Sequence, residues 1–432
     1  MSDGHRGAVP ALSDARLGRT IGLRGAALLS FNGAVGAAIF ALPATLATDF
    51  GPFSPWLFPL VAVGAMLVVW PFARSVAAFS ESGGPATYGR VFGRLAGFEL
   101  GWVYYVARAA AFAANANVLV AYLGRWVPAL EQSLWRGATL VAICAGLAFA
   151  NIVGVRRALG LLAGLTLLKA LPLLIGAAAA LVLLPIPAPG PPPTLSDTET
   201  GALLVFYAFV GFENLVVPAG ETKRPSTTLP RAIFVSMATT TLLYFLVQLT
   251  FVTIFPTGRA DTDAPLVDAA TRLAGPAGAA VLILAAIASV GGNLHGIMTS
   301  VPRLTYAMGE RGDLPRWFAA VNTSYSTPGN SIVFLALFAA ALAVSGSFVW
   351  LAVVSTLARM FVYAVTIAAL PRAPERPRMT AAHWLGGAVG IIVCAWAAAQ
   401  ADARAWITLG LLAAAGLGLY GLASLALKRD QE

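Results

Sequence analysis

Charge is what this chain has least of. Asp, Glu, Lys and Arg together make up 11% of its 432 residues, against 58% hydrophobic residues. A soluble domain carries roughly a quarter of its residues as charges, and a single soluble core does not usefully grow to this length without splitting. The scarcity excludes a water-facing surface over most of the chain. Cysteine is rarer still: Cys144 and Cys394 each sit in an apolar run, without the paired spacing of a disulfide framework or a metal site. HExxH, GxSxG and GxxxxGK[ST] are all absent, so neither an enzyme, a metal nor a cofactor is expected. The first twenty residues are polar and Arg-bearing, with no short apolar core ahead of a cleavage site, and no removable signal peptide is expected.

What is present is a succession of apolar stretches of about 20 residues, the length that spans a bilayer as an α-helix with every backbone group bonded internally. The windows predict an all-α polytopic membrane protein of about twelve helices. The first six lie near 21–47, 54–79, 95–124, 134–154, 157–184 and 200–220. The rest follow near 229–256, 276–308, 328–346, 348–370, 383–400 and 404–427. Gly51-Pro52, the run 185–193, Gly275-Pro276 and Pro328-Gly329 punctuate them.

Counting Lys and Arg on alternate sides of these spans puts twenty of the 28 on one side. Five (Arg125, Arg136, Arg259, Arg272 and Arg404) fall on the other, and Arg108, Lys169 and Arg359 fall inside spans. The rich side is the cytoplasmic one. Both termini, the tails 1–20 and 428–432, are therefore expected in the cytoplasm. The net charge of +9 is a topology signal, and nucleic acid is not an expected partner. Arg-over-Lys and Ala-rich usage fits a bacterium with a G+C-rich genome, whose inner membrane is the expected location.

Two spans carry signs of interruption. The first contains Asn32-Gly33-Ala34-Val35-Gly36-Ala37-Ala38, small residues amid bulky ones; the sixth contains Val210-Gly211-Phe212-Glu213-Asn214, a glycine beside a mid-membrane carboxylate. Small residues in membrane helices also serve close packing. Their occurrence in the first helix of each group of five points instead to a transporter of inverted repeats with unwound segments at the midplane. Half-helix N-termini there attract a carboxylate, and freed carbonyls suit an ammonium group.

At these residues the chain resembles the amino acid–polyamine–organocation superfamily of permeases. GAVGAAIFALPA (33–44) is similar to that family's first helix, and SESGGPATYGRVFGRLAGFELGW (80–102) to its Gly-Gly-x-x-x-Tyr loop and third helix. NIVGVRRALGLLAGLTLLKALPLL (151–174) resembles the connection into helix five. FYAFVGFENLVVPAGETKRPSTTLPRAI (206–233) resembles the helix-six signature, and LTYAMGERGDLPRWFAAVN (304–322) the loop after helix eight. The resemblance implies five-plus-five inverted repeats (21–184 and 200–370), with helices 1 and 6 discontinuous and two additional helices over 383–427. It also implies a substrate with an α-amino and a carboxyl group. The first unwound segment would hold the carboxylate, at Gly33, Gly36, Ala37 and Ala38. Helix-six carbonyls of Phe206, Tyr207, Ala208 and Phe209, beside Gly211, would hold the amine, with Tyr207 as the outer aromatic gate. Lys169 would stand in place of a sodium ion, tying helix five to helices one and eight. The chain departs from the family's common Gly-Ser-Gly turn: Gly36-Ala37-Ala38 lacks the hydroxyl donor and carries an extra methyl. That change favours a smaller or less polar ligand.

The intramembrane polar groups are read alongside. Lys169 is expensive to bury, by about 2.5–3.5 kcal/mol on insertion scales, and Glu213 is either a brace for loose backbone or a proton carrier. Arg108 and Arg359 cannot readily lose their charge; Glu213 is a candidate partner for either, and Arg108 alternatively meets the substrate carboxylate. Asn115, Asn117, Asn293 and His295 lie on helices expected to line the centre, with Asn115 and Asn293 as candidate substrate contacts. The function expected is sodium-independent amino acid transport, most simply of neutral amino acids, by proton symport or exchange. A polyamine or organic-amine transporter and a channel are the alternatives. Several ammonium groups call for several carboxylates, and channels usually show charge rings or a re-entrant filter. The partners expected are an amino acid, protons and membrane lipid. Nothing in the sequence sets an oligomeric state.

Overall fold

The protein's structure, a computed structural model, describes residues 22–79, 84–153, 159–215, 222–256, 263–322 and 324–429. The expected tail 1–20, the end of the sixth window (216–220), the connection 154–158 and the last residues 430–432 lie outside the described residues. Within them the regular elements are helices. The first half contains α1 (Leu23–Ala34), α2 (Ala38–Phe50), α3 (Ser54–Ala77), α4 (Pro85–Gly89), α5 (Arg94–Gly124), α6 (Ser133–Ile152) and α7 (Leu159–Leu183). Then come α8 (Leu195–Phe209), α9 (Pro225–Ile254), α10 (Pro265–Ser300), α11 (Pro302–Glu310), α12 (Gly329–Ser345), α13 (Phe348–Ala369), α14 (Ala381–Ala399) and α15 (Ala403–Arg429).

Nine helical stretches among the described residues are long and apolar enough to cross a membrane. The chain is therefore a multi-pass membrane protein, as its composition requires. Three of the expected windows are missing from that count, each for a visible reason. α12 is apolar but only 17 residues long. The first window is split between α1 and α2, the latter running on to Ala77 through a 3-10 turn at Gly51–Phe53. The sixth is cut short at Phe209, leaving α8 with 15 residues. α10 is also two pieces: Ala274 and Gly275 leave helical geometry, Gly275 at φ +61° with Pro276 behind it. The eighth window therefore starts where its Gly-Pro signal places it.

α5 is the central pillar. Of its apolar window 89% is buried inside the protein, against 17% for α6, α14 and α15, which face outward. Alanine makes this possible: Ala107, Ala109, Ala110, Ala113, Ala114 and Ala116 are all fully buried, letting neighbouring helices approach closely. α15 is fastened to the pillar where Trp102 donates its indole N–H to the Leu412 carbonyl (2.7 Å) and its ring fills the space over Gly416. At one end of the pillar, buried Asp313 accepts from Arg90 (3.1 Å) and Arg94 (2.8 Å), joining the loop before α5 to the turn after α11.

The two interrupted segments meet. α1 stops at Ala34, residues 35–37 are non-helical, and α2 starts at Ala38. After α8, Gly211 takes φ +112° and a 3-10 turn follows over Phe212–Leu215. Gly211 lies against the backbone of Gly33 so closely that a Cβ on it would stand 2.2 Å from the Gly33 carbonyl oxygen. Both the positive φ and the contact demand glycine. Gly211→Ala is accordingly expected to destabilise the protein by roughly 1–3 kcal/mol, read as a fall of several degrees in melting temperature in detergent. Wild-type melting of this variant would contradict the contact.

Candidate functional site

Unwinding a helix inside a bilayer strands backbone groups that lipid cannot bond, so the break in the first span should be found surrounded by side-chain partners. It is. The last two carbonyls of α1 and that of Val35 just beyond it each receive a hydrogen bond from a different direction. Asn293 of α10 donates to Gly33 O (3.3 Å), the Tyr244 hydroxyl of α9 to Ala34 O (3.4 Å), and Lys169 of α7 to Val35 O (2.9 Å). The Ser289 hydroxyl of α10 adds a second, longer bond to Val35 O (3.4 Å). On the other side of the break, Gly36 N–H turns back to Ala34 O (3.0 Å) and Ala37 N–H donates to Asn115 Oδ1 (3.1 Å). Gly36 is pinched between two asparagines: a Cβ there would lie 3.1 Å from Asn293 Nδ2 and 3.2 Å from Asn115 Oδ1. α2 then begins at Ala38 without a side-chain cap.

A small cavity lies between the breaks. Gly33, Gly36, Ala37, Ala38, Arg108, Asn115, Tyr207, Gly211 and Asn293, all singled out in the sequence, line it together with Ala34, Ala111, Val210, Ile297 and Arg359. Its volume is about 30 Å³, on the order of one water molecule's share of liquid volume; a larger guest requires the surrounding helices to part. On its wall the Tyr207 hydroxyl is 3.5 Å from Asn115 Nδ2, and the Tyr207 ring packs edge-on against Phe348, the first residue of α13 (5.8 Å). Phe206, Ala208 and Phe209 do not line the cavity. The Phe206 ring lies toward Gly64 of α3, and Phe209 packs with Phe58 and Tyr244.

Behind this cavity is a buried charge cluster. Glu213 Oε1 accepts from Arg359 Nε at 2.8 Å, while Arg108 Nη1 stands off at 3.8 Å. Glu213 Oε2 accepts from the Tyr363 hydroxyl (3.0 Å) and from Gly211 N–H (2.8 Å). Arg359 turns Nη1 to Ala107 O (3.3 Å) and to the Ser355 carbonyl and hydroxyl. Glu213, Arg108 and Arg359 are at most 4% exposed. The carboxylate therefore holds the positive-φ turn at Gly211 in shape while anchoring it to α13.

Several of these contacts were not foreseen from sequence: Tyr363, Ser355, Tyr244 and Ser289. A signal existed for some. Ser355, Arg359 and Tyr363 recur at i, i+4 and i+8 on α13, and Ser289 and Asn293 at i and i+4 on α10, polar stripes on otherwise apolar helices. Asn117 faces elsewhere, donating to Ala343 O of α12 (3.0 Å) and accepting from Arg136 (3.1 Å). His295 is half-buried and outside the cavity lining. Among the described residues no group of His, Cys, Asp and Glu is disposed to hold a metal.

Several known transporters are similar to this chain in sequence. An uncharacterised transporter of Mycobacterium tuberculosis is 28% identical over 429 residues, covering 96% of this chain and 94% of the relative. A cadaverine/lysine antiporter of Escherichia coli is 26% identical over 56% of each chain. A Bacillus subtilis protein described as a candidate arginine/ornithine antiporter is 26% identical over 67% of this chain and 69% of its own length. The sequence model for the amino acid permease family matches residues 21–407. A multi-pass helical membrane protein, with helices interrupted around a small polar cavity and transporters as its relatives, this chain belongs to the amino acid permease family.

Proposed function

We propose that this permease moves neutral amino acids across a bacterial inner membrane by alternating access, independently of sodium, through exchange or proton symport. The observation that carries the reading is the pair of interrupted helices meeting at Gly33 and Gly211 beside the cavity. A zwitterion needs a positive end and a negative end within a few ångströms of each other. Here the uncapped start of α2 at Ala38 supplies the first. The end of α8, with the carbonyls of Phe206, Tyr207, Ala208 and Phe209, supplies the second. Tyr207 and Phe348 form the gate over it. Twelve spans arranged as inverted repeats 21–184 and 200–370, with 383–427 packed outside and both termini cytoplasmic, complete the proposed architecture.

Lys169 takes the role of a fixed cation in this scheme. Its ammonium on Val35 O draws α7 to the end of α1, where a sodium ion would otherwise hold the same carbonyl. Glu213 is a brace, since its two oxygens are engaged by Arg359, Tyr363 and Gly211. Exchange is supported by the antiporter names of the E. coli and B. subtilis relatives. Those names also favour a second reading, a cationic amino acid or diamine as substrate. The buried charges weigh against it: two guanidiniums and one carboxylate surround the cavity, where cationic ligands call for the opposite balance.

Three measurements test these assignments. Purified protein screened by thermal shift against amino acids and amines is expected to gain stability with small neutral amino acids, because binding to the folded state raises apparent stability by mass action. Stabilisation by cadaverine or lysine alone would favour the second reading. Lys169→Ala, which leaves Val35 O with only the long Ser289 bond, is expected to lower proteoliposome uptake by about tenfold or more, since an unsatisfied buried carbonyl costs about 1–3 kcal/mol. Full sodium-independent uptake in this variant would remove the cation role. Glu213→Gln strips two buried arginines of their counter-charge and should lower the melting temperature markedly, a loss on the order of 3–5 kcal/mol. The pH profile of its residual uptake is expected to match the wild type. A flattened profile would mean that Glu213 carries the coupled proton.

A further inference from the structure

The charge cluster does not balance at the cavity. Glu213 places Oε1 on Arg359 at hydrogen-bond distance and gives Oε2 to Tyr363 and Gly211. Arg359 is thereby paired, through Nε with Glu213 and through Nη1 with Ala107 and Ser355. Arg108 is not: its closest acidic atom is the same Oε1 at 3.8 Å, beyond hydrogen-bond length, and that oxygen is already engaged. The next acidic side chain along α5, Glu99, is nine residues away, about 13 Å along a helix axis. Lys169, on the far side of the break, adds no negative charge. A guanidinium 4% exposed at mid-membrane thus lines the cavity with half a partner. Unlike a lysine, it cannot shed its charge.

The neighbouring donors sharpen the point. Gly36 N–H is spent on Ala34 O and Ala37 N–H on Asn115 Oδ1, so two turn amides that an incoming carboxylate would seek are already occupied. Three positive features still face the cavity: the start of α2 at Ala38, Arg359, whose charge is paired with Glu213 at 2.8 Å, and the fork of Arg108, which stands 3.8 Å from that carboxylate. Arg108, Ala111 and Asn115 fall at i, i+3 and i+7 of α5 and all line the cavity. The small Ala111 leaves room between the guanidinium and the carboxamide. A planar fork beside a helix N-terminus suits a carboxylate.

We propose that Arg108 is the specificity-determining residue that pairs with the substrate carboxylate, so that the cavity accepts amino acids of zero or negative net charge and rejects diamines and carboxylate-free amines. The inference rests on the permease reading above. It goes further, moving recognition of the carboxylate from the turn amides to a side chain of α5. A second positive charge inside the cavity would face Arg108 with no additional carboxylate to relieve it, which is why cationic ligands are refused.

The experiment compares alanine, glutamate, propionate, alaninamide and cadaverine as competitors of labelled alanine on the full-length protein, in wild type, Arg108→Gln and Arg108→Lys. Wild type is expected to be inhibited by alanine and glutamate, and by propionate weakly, but not by alaninamide or cadaverine. In Arg108→Gln the preference for alanine over alaninamide is expected to fall by about tenfold or more, 1.4 kcal/mol per decade, and Arg108→Lys should restore part of it. A purely structural Arg108 would weaken all ligands together and leave that ratio unchanged, and an unchanged ratio overturns the inference while the permease reading stands. Should Arg108→Gln not fold, the wild-type ranking still decides. Inhibition by alaninamide as strong as by alanine overturns the inference. Cadaverine displacing alanine overturns both it and the neutral-substrate reading.

Discussion

In hydrocarbon a peptide carbonyl without a partner has nowhere to turn, and that constraint organises the centre of this protein. Three consecutive carbonyls, of Gly33, Ala34 and Val35, leave the end of α1 without helical partners and are taken up by Asn293, Tyr244 and Lys169 from α10, α9 and α7. Each donor comes from a helix remote in sequence, so the break can exist only when the bundle is assembled around it. The converse also holds. A polar side chain buried in a membrane helix is unfavourable alone, and the freed carbonyls give these three residues their reason to be buried. Break and donors stabilise one another, which is how a non-helical backbone is tolerated at mid-membrane.

The second interruption is held by a different device. After α8 a positive-φ glycine would be free to wander, but Glu213 accepts the N–H of Gly211 two residues upstream and is itself clamped by Arg359 and Tyr363 of α13. Because Gly211 touches the Gly33 backbone, the two interruptions are mechanically one object. Displacing the end of α1 must disturb the turn after α8, and through Glu213 the position of α13. Neither a wire of conserved contacts nor a long-range field is needed for that; steric contact between two glycines is enough, with sub-ångström tolerance set by close packing.

How much of this was legible beforehand follows from the kind of signal involved. The helical, polytopic class followed from hydropathy alone, since lipid leaves few alternatives. Gly36 and Gly211 were legible as interruptions because small residues at mid-span stand out against Val, Leu and Phe. Lys169, Glu213, Arg108 and Arg359 were legible as important because charge inside a span is rare. Their pairing was not: helix periodicity says which residues share a face, not which faces meet. Arg108 and Arg359 were equally eligible for Glu213, and only three-dimensional packing gave the 2.8 Å contact to Arg359 and left Arg108 at 3.8 Å. The tyrosines were missed for another reason. Tyr244 and Tyr363 read as apolar bulk in a membrane helix, and only the hydroxyl's destination, Ala34 O or Glu213, distinguishes a hydrogen-bond donor from a packing ring. Phe206 and Phe209 were read for their backbone carbonyls, and their side chains go another way. Adjacent to Tyr207 in sequence, they point their rings into α3 and α9, as successive residues on a helix must diverge.

Framework and recognition therefore fall to different residues. Those that permit the break (Gly33, Gly36, Gly211, Lys169) answer to the bilayer, and any carrier built this way faces the same demand whatever it carries. Under the proposed reading, the side chains that reach the cavity, Arg108 foremost, answer to the ligand. A family match over residues 21–407 speaks to the first set. It is silent on the second, since a fold does not dictate what its site binds. Relatives named for cadaverine, lysine, arginine or ornithine are about a quarter identical to this chain, so their names do not fix what this cavity binds. In this chain the wall carries Arg108, and a fixed positive charge there is hard to reconcile with a doubly cationic guest. Under the proposed reading, the charge on α5 sets what this permease carries, while the interrupted backbone beside it sets how the site is built.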